Sequence, residues 1–253
     1  MDLNIKGKVA FVTGGSHGLG EAICRELAAE GANIAINYRK NKEIVEKLVK
    51  EIKKDYKVEA IGVLGDVSEE DDVERIFNEI EKNLSPVDIL VNNAAISPTS
   101  YVKDTELELW NKTFKINSTG PFLTSRELIK RLLKLKRKGK IINISTTSAY
   151  LGSSSGRAHY DASKGGINSF TISLAKEVAK YGINVNAVAS GLMVTESTRE
   201  RFVANKEKYL ANIPLGRYAD TQEVANVVVF LASDKADYMT GSIVNVSGGL
   251  YMG

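Results

Sequence analysis

Two side chains four residues apart, Tyr160 and Lys164, could carry proton chemistry. On a helix that spacing puts both on one face, where an ammonium stabilises a developing tyrosinate. A phenol with an ordinary pKa near 10 needs such help to exchange protons at neutral pH. Upstream runs Ser145-Thr146-Thr147-Ser148, a row of hydroxyls able to donate a hydrogen bond to a substrate oxygen. The joint chemistry would be proton exchange with an oxygen atom. Pairs of this spacing also arise by chance, so the weight of this one rests on its surroundings.

A second group stands near the start, Thr13-Gly14-Gly15-Ser16-His17-Gly18-Leu19-Gly20, directly after the apolar run Val9–Val12. Glycines let a backbone turn sharply and approach phosphates, and the helix opening near Leu19 supplies amides and a partial positive charge. This is the pattern expected around a dinucleotide pyrophosphate, although glycines also serve ordinary turns. The second apolar run ends Asn37-Tyr38-Arg39-Lys40, where an acid would hold a ribose 2′-hydroxyl in an NAD site. No acid stands there. Arg39 and Lys40 could pair instead with a 2′-phosphate, which favours NADP while leaving NAD open. Asp66 and Val67 follow the third run and could meet the adenine end, although a loop aspartate also caps helices.

Short apolar runs recur at Val9–Val12, Ile34–Ile36, Ala60–Val63, Ile89–Val91, Ile141–Ile144, Ile183–Val188 and Ile243–Val246. Most read as strands buried on both faces. Between them lie stretches of helical periodicity: Leu19–Glu30, Lys42–Lys54, Glu69–Lys82, Gly120–Lys138, Ala162–Tyr181 and Thr221–Leu231. Strict alternation implies right-handed crossovers, hence an α/β Rossmann-type doubly wound parallel sheet of about seven strands with helices on both faces. No linker, repeat or low-complexity tract divides residues 1–253, so one domain is expected to bind the dinucleotide and do the chemistry. The charged stretch from Lys40 to Lys57 alternates sign at helical spacing and reads as a solvated face.

Composition narrows the class further. Of the 253 residues, 34 are basic and 31 acidic, spread without a block of one sign, which argues against nucleic acid or membrane partners. Cys24 is the only cysteine, so neither an intrachain disulfide nor a thiolate zinc site can form, and no metal cluster is evident. Met1–Lys8 lacks an apolar leader core, and no run reaches the roughly 18 apolar residues of a membrane span. A soluble, cytoplasmic protein is expected. Cys24, on the apolar side of its helix, should be core, and His159, with no evident partner, should be a loop or surface residue.

Over essentially its whole length the chain resembles the short-chain dehydrogenase/reductase family. The matching elements are Thr13-Gly14-x-x-x-Gly18-x-Gly20, Asn92-Asn93-Ala94-Ala95, Asn117 and Tyr160-x-x-x-Lys164, all in the family's order. The resemblance implies that Tyr160 exchanges the substrate proton and Lys164 also holds the nicotinamide ribose. It makes Asn117 part of a water relay, and Asn93, Ala94 and Ala95 part of the cofactor pocket. Asn92-Asn93 could equally be turn chemistry, and Asn117 a helix-bending contact.

Three departures stand out. Counted from the strand, the family's substrate-binding serine falls on Thr146; counted thirteen residues back from Tyr160 it falls on Thr147, which suggests an insertion near Ser153 to Ser155. Alternation along an extended segment favours Thr146, with Ser148 second on the same side. Ser190-Gly191 replaces the usual Pro-Gly but keeps the glycine that lets the backbone near the nicotinamide, with Val194 just beyond. His17 occupies a position that is often arginine in NADP-preferring relatives.

The expected reaction is hydride transfer between a nicotinamide and a carbonyl or alcohol carbon of a small molecule. The C-terminal stretch Gly248-Gly249-Leu250-Tyr251-Met252-Gly253 resembles bacterial 3-oxoacyl-carrier-protein reductases, and also related sugar and polyol dehydrogenases. Substrate contacts should come from Gly191 to Pro214, including Met193, Phe202 and Tyr209. Family members are usually homotetramers, with a dimer the simpler alternative, formed through the helices at Gly120–Lys138 and Ala162–Tyr181. Rival readings are an NAD-dependent sugar, polyol or other alcohol dehydrogenase, and a cofactor-binding sensor on the same fold. A sensor would be expected to lose the Tyr/Lys pair, which this chain keeps.

Overall fold

The computed structural model describes residues 2–195, 198–199 and 206–253. Its seven strands are β1 (Val9–Val12), β2 (Asn33–Tyr38), β3 (Ala60–Leu64), β4 (Ile89–Asn92), β5 (Gly139–Thr146), β6 (Ile183–Ser190) and β7 (Ile243–Val246). They form one sheet in the order β3-β2-β1-β4-β5-β6-β7, and every pairing is parallel. Each apolar run read as a strand lies within one of these, so the doubly wound fold stands. The order reverses between β1 and β4, and the loops leaving their carboxyl ends open a crevice there.

Alternation along β1 shows how the core divides. Ala10 and Val12 face a layer formed by α1 (Gly18–Ala29), α2 (Lys42–Tyr56) and the late helix Thr221–Ala232. Val9 and Phe11 face the other layer, built on α3 (Glu70–Asn83), α5 (Gly120–Leu135) and α7 (Ala158–Val178). Ile23, Leu27, Phe77 and Ile80 are fully buried, each worth about 1.5–3 kcal/mol relative to exposure. Cys24 is buried beside Ile23, as its helix position implied. The charged α2 keeps Val45, Leu48 and Ile52 inward and pairs Lys42–Glu46 and Lys47–Glu51 outward, consistent with a solvated face.

Two local differences from the sequence reading matter for the site. The segment after β4 carries α4 (Leu107–Phe114), which the sequence did not reveal, and this runs through a π turn at Lys115–Thr119 into α5. After β5 comes the short α6 (Ser148–Leu151); helix α7 then starts at Ala158 rather than Ala162 and ends at Val178, followed by a 3-10 turn over Ala179–Tyr181. Tyr160 therefore lies within the first turn of α7. Among the described residues no helix is long and apolar enough to cross a membrane.

Candidate active site

Beyond β1 the chain turns through Thr13–His17, with Gly14 at φ 60° and Gly18 at φ 57°, values that disfavour side chains. Thr13 pins this turn to the end of β4: its Oγ1 accepts the amides of Asn93 at 2.9 Å and Ala94 at 3.0 Å. Asn93 replies through Nδ2, which donates to the carbonyls of Thr13 and Gly14, both at 3.0 Å. Gly20 sits where a Cβ would come within 2.3 Å of the Gly14 carbonyl oxygen, so it serves close packing. At Gly18 a Cβ would meet only Thr195 at 3.6 Å, which leaves that side open. Asn37, buried at the end of β2, donates to the carbonyls of Val63 and Gly65 while its Oδ1 accepts the Gly14 amide.

These elements border a cavity of about 450 Å³ lined by Gly14, Ser16, His17, Gly18, Leu19, Gly20, Tyr38, Arg39, Lys40, Asp66, Val67, Asn93, Ala94 and Ala95. Asn37, Asn41, Gly65, Ile96, Ile116 and Thr195 complete the lining. No side chain caps the start of α1, so its first amides remain donors facing this space. A cavity lined by glycines, an uncapped helix N-terminus and the basic residues Arg39 and Lys40 fits a phosphate-bearing dinucleotide. Arg39 pairs with Asp66 at 3.0 Å. Burial pushes the Asp66 carboxyl up, but the hydroxyl and amide of Ser68 and the Arg39 guanidinium together hold it below its usual range.

Across the switch point, Lys164 is 3% exposed and its Nζ donates to the Ile144 carbonyl of β5 at 2.7 Å. Burial disfavours its charged form and brings its pKa down to about 8. Tyr160, half-buried, precedes it by one helical turn, with the Arg157 guanidinium 5.8 Å from its ring centre. Asn117 is fully buried inside the π turn. It grips the backbone of Ile96 at both its N–H and its C=O, each at 2.9 Å, and donates to Ser163 Oγ at 3.0 Å. The π turn and this clamp hold α4 and α5 against α7 and against the loop after β4.

The comparisons with known proteins agree with this geometry. A family model described as enoyl-(acyl carrier protein) reductase matches residues 14–251. The 3-oxoacyl-(acyl-carrier-protein) reductase of Aquifex aeolicus is 38% identical over 99% of this chain and 100% of its own. The chain belongs to the short-chain dehydrogenase/reductase family. A 3-oxoacyl-(acyl-carrier-protein) reductase of Synechocystis is 39% identical over 97% of both chains. A crystal structure assigned as a gluconate dehydrogenase from Agrobacterium tumefaciens superposes with a TM-score of 0.92 at 34% identity, covering 99% of this chain and 98% of that one. The protein is thus an oxidoreductase of a family that works with nicotinamide dinucleotides.

Within this short-chain dehydrogenase the sequence-derived residues fall into two groups. Fourteen of them line the cavity beside β1 together, from Gly14 to Ala95. Tyr160, Lys164, Gly191 and Val194 do not line it; the first two stand on α7, and Thr195 rather than Val194 reaches its wall. Gly191 has a reason of its own to lack a side chain, since a Cβ would come 2.7 Å from the Ser247 backbone beyond β7. Met193 bridges to Ala219 and Tyr209 lies on the short helix Lys206–Leu210, while Phe202 lies outside the described residues.

The hydroxyl run resolves partly. The strand ends at Thr146, and Thr147 turns helical at φ −62°, ψ −25°, so simple alternation stops there. Thr146 and Ser148 nevertheless meet, Oγ1 to Oγ, at 3.3 Å, while Thr147 is 3% exposed. His159 corrects the expectation of a loop or surface residue: it is on α7, 1% exposed, and neither ring nitrogen has a hydrogen-bond partner. Sequence reasoning passed over Asn37, Arg157 and Asp161; the strand-end position of Asn37, beside the glycine turn, was the only available signal.

Proposed function

We propose that this enzyme interconverts a carbonyl and a secondary alcohol with NADP(H), and that its substrate is a 3-oxoacyl thioester. The observation that carries the chemistry is Lys164, buried and anchored on β5 one turn beyond Tyr160. In reduction, Tyr160 gives its phenolic proton to the substrate oxygen as that oxygen gains charge. Lys164, still largely protonated below its pKa of about 8, stabilises the tyrosinate that remains. Thr146 donates a hydrogen bond to the same oxygen, with Ser148 behind it. Asn117, holding the π turn open, supports a water path that returns a proton to Tyr160. The dinucleotide, when bound, supplies or accepts the hydride.

For that dinucleotide, Gly14, Ser16, His17, Gly18, Leu19 and Gly20 would hold the pyrophosphate, and Asn93, Ala94 and Ala95 the middle of the molecule. Asp66 and Val67 would flank the adenine, Tyr160 and Lys164 the nicotinamide ribose, and Gly191 and Val194 the nicotinamide ring. NADP is preferred because β2 ends in Asn37-Tyr38-Arg39-Lys40 without a carboxylate, and Arg39 keeps donors free beside its bond to Asp66. The thioester follows from the names of the full-length relatives. A second reading, oxidation of a sugar acid with NAD, draws on the gluconate dehydrogenase assignment and on Asp66 occupying Arg39.

The whole chain is proposed to act as one domain, in the cytoplasm, within a homotetramer. Supporting an assembly, the outer faces of α5 and α7 enclose a cavity of about 330 Å³ between half-exposed Phe122 and Leu133 and their neighbours Ile129 and Phe170. A direct test measures acetoacetyl-coenzyme A, 2-oxo sugar acids and simple ketones with NADPH and with NADH. The proposal expects acetoacetyl-coenzyme A with NADPH to give the highest kcat/KM, by about tenfold or more over NADH. Preference for NADH, or for a sugar acid, would overturn it.

A further inference from the structure

Asp161 follows Tyr160 on α7, is 9% exposed, and has both carboxylate oxygens engaged by the segment that carries the candidate hydroxyls. Ser148 Oγ donates to Oδ1 at 2.6 Å and Ser153 Oγ to Oδ2 at 2.5 Å. Ser153 belongs to the loop between Leu151 and Ala158, so Asp161 also ties that loop to α7. An ion pair with Arg157, four residues earlier at the N-cap of α7, would be the ordinary use of such a carboxylate. Arg157 turns elsewhere, donating to Ser155 Oγ at 3.2 Å and Ser97 Oγ at 3.5 Å.

The proton count then decides between two hydroxyls. A carboxylate only accepts, so the single proton of Ser148 is directed at Asp161, and Ser148 Oγ is left with lone pairs. Those lone pairs face Thr146 Oγ1 at 3.3 Å, and Thr146 Oγ1 accepts the Ser148 N–H, also at 3.3 Å. Thr146 keeps one proton, free to rotate between Ser148 Oγ and a ligand. We infer that Asp161 is a positioning residue that allots the hydroxyl protons of the site, withdrawing Ser148 from the substrate oxygen and leaving Thr146 as the donor. This rests on the carbonyl chemistry proposed above.

The test has two arms. In steady-state reduction, Thr146→Val should lower kcat about 100-fold and Ser148→Ala roughly fivefold, in line with loss of one oxyanion donor against loss of its neighbour. Adding Asp161→Ala to Thr146→Val should raise kcat again by about tenfold, because Ser148 regains a proton to give; a residue with only a structural role cannot restore turnover. A Ser148→Ala loss as large as that of Thr146→Val, or no recovery in the double variant, overturns the inference. The second arm is neutron diffraction from perdeuterated, ligand-free protein, which needs no turnover. Deuterium on Ser148 Oγ should lie on the line to Asp161 Oδ1, and deuterium pointing toward Thr146 or the open crevice overturns the inference. A wild-type protein that reduces no carbonyl would instead sink the proposed function while the neutron map still decides the proton.

Discussion

The two sides of the switch point are built from different materials. The cavity beside β1 is shaped by backbone: glycines at Gly14, Gly18 and Gly20, the amides of α1, and charged groups such as Arg39 kept half in water at its rim. The site beside β5 is shaped by buried polar side chains, with Lys164, Asn117, Ser163 and Asp161 all less than a tenth exposed. Backbone amides suit a phosphate chain, which asks for room and many donors. Proton transfer asks for a group whose pKa has been moved, and that requires burial. Binding can thus be built from conformation, whereas the chemistry needs a satisfied polar network inside the protein.

That contrast can be broken from either side. Gly20→Val forces atoms against the Gly14 carbonyl and Asn93, where even a Cβ would come within 2.3 Å and 2.7 Å. Dinucleotide affinity, read by fluorescence titration, should fall about 100-fold or more. Asn117→Ala removes three hydrogen bonds and should cost about 3 kcal/mol of stability in urea unfolding, since each is worth about 1 kcal/mol.

Lys164→Met tests the buried charge and carries the opposite sign. The unfolded chain holds this proton up to its ordinary value of 10.5 and the folded chain only to about 8, so between those limits the unfolded state binds more protons. Wild-type stability should therefore rise with pH across that window. The shift corresponds to about 3 kcal/mol, and losing the bond to Ile144 returns about 1 kcal/mol of it. Lys164→Met should be more stable than wild type by about 2 kcal/mol at pH 7, with the advantage shrinking from pH 8 to 10.5, while reductase turnover collapses. The smallest effect belongs to the rim: Arg39→Ala should change stability by less than about 1 kcal/mol yet raise KM for NADPH about tenfold and leave KM for NADH nearly unchanged.

The same contrast explains what the sequence made legible. Glycine spacing and strand-end positions follow the chain, so all the residues assigned to the cradle from Gly14 to Ala95 came together in one cavity. The sheet was readable because buried parallel strands are short apolar runs with helices between them. Helix α4 was hidden because it buries no apolar stripe: Leu107 and Trp110 are exposed, and within α4 only Thr113 is buried. Asp161 and His159 were unreadable for a different reason: their burial depends on which segments pack over the first turn of α7. Thr147 shows the limit of local rules: alternation put Thr146 and Ser148 on one side, and their hydroxyls do meet, although the strand had already ended at Thr146.

The central claim is that the two regions separate binding from chemistry, with Tyr160 the proton donor. Measuring NADPH affinity and acetoacetyl-coenzyme A turnover on the same preparation of Tyr160→Phe tests it most directly. The account predicts turnover reduced about 1,000-fold with affinity held within about threefold of wild type. Turnover close to wild type in that variant would contradict it.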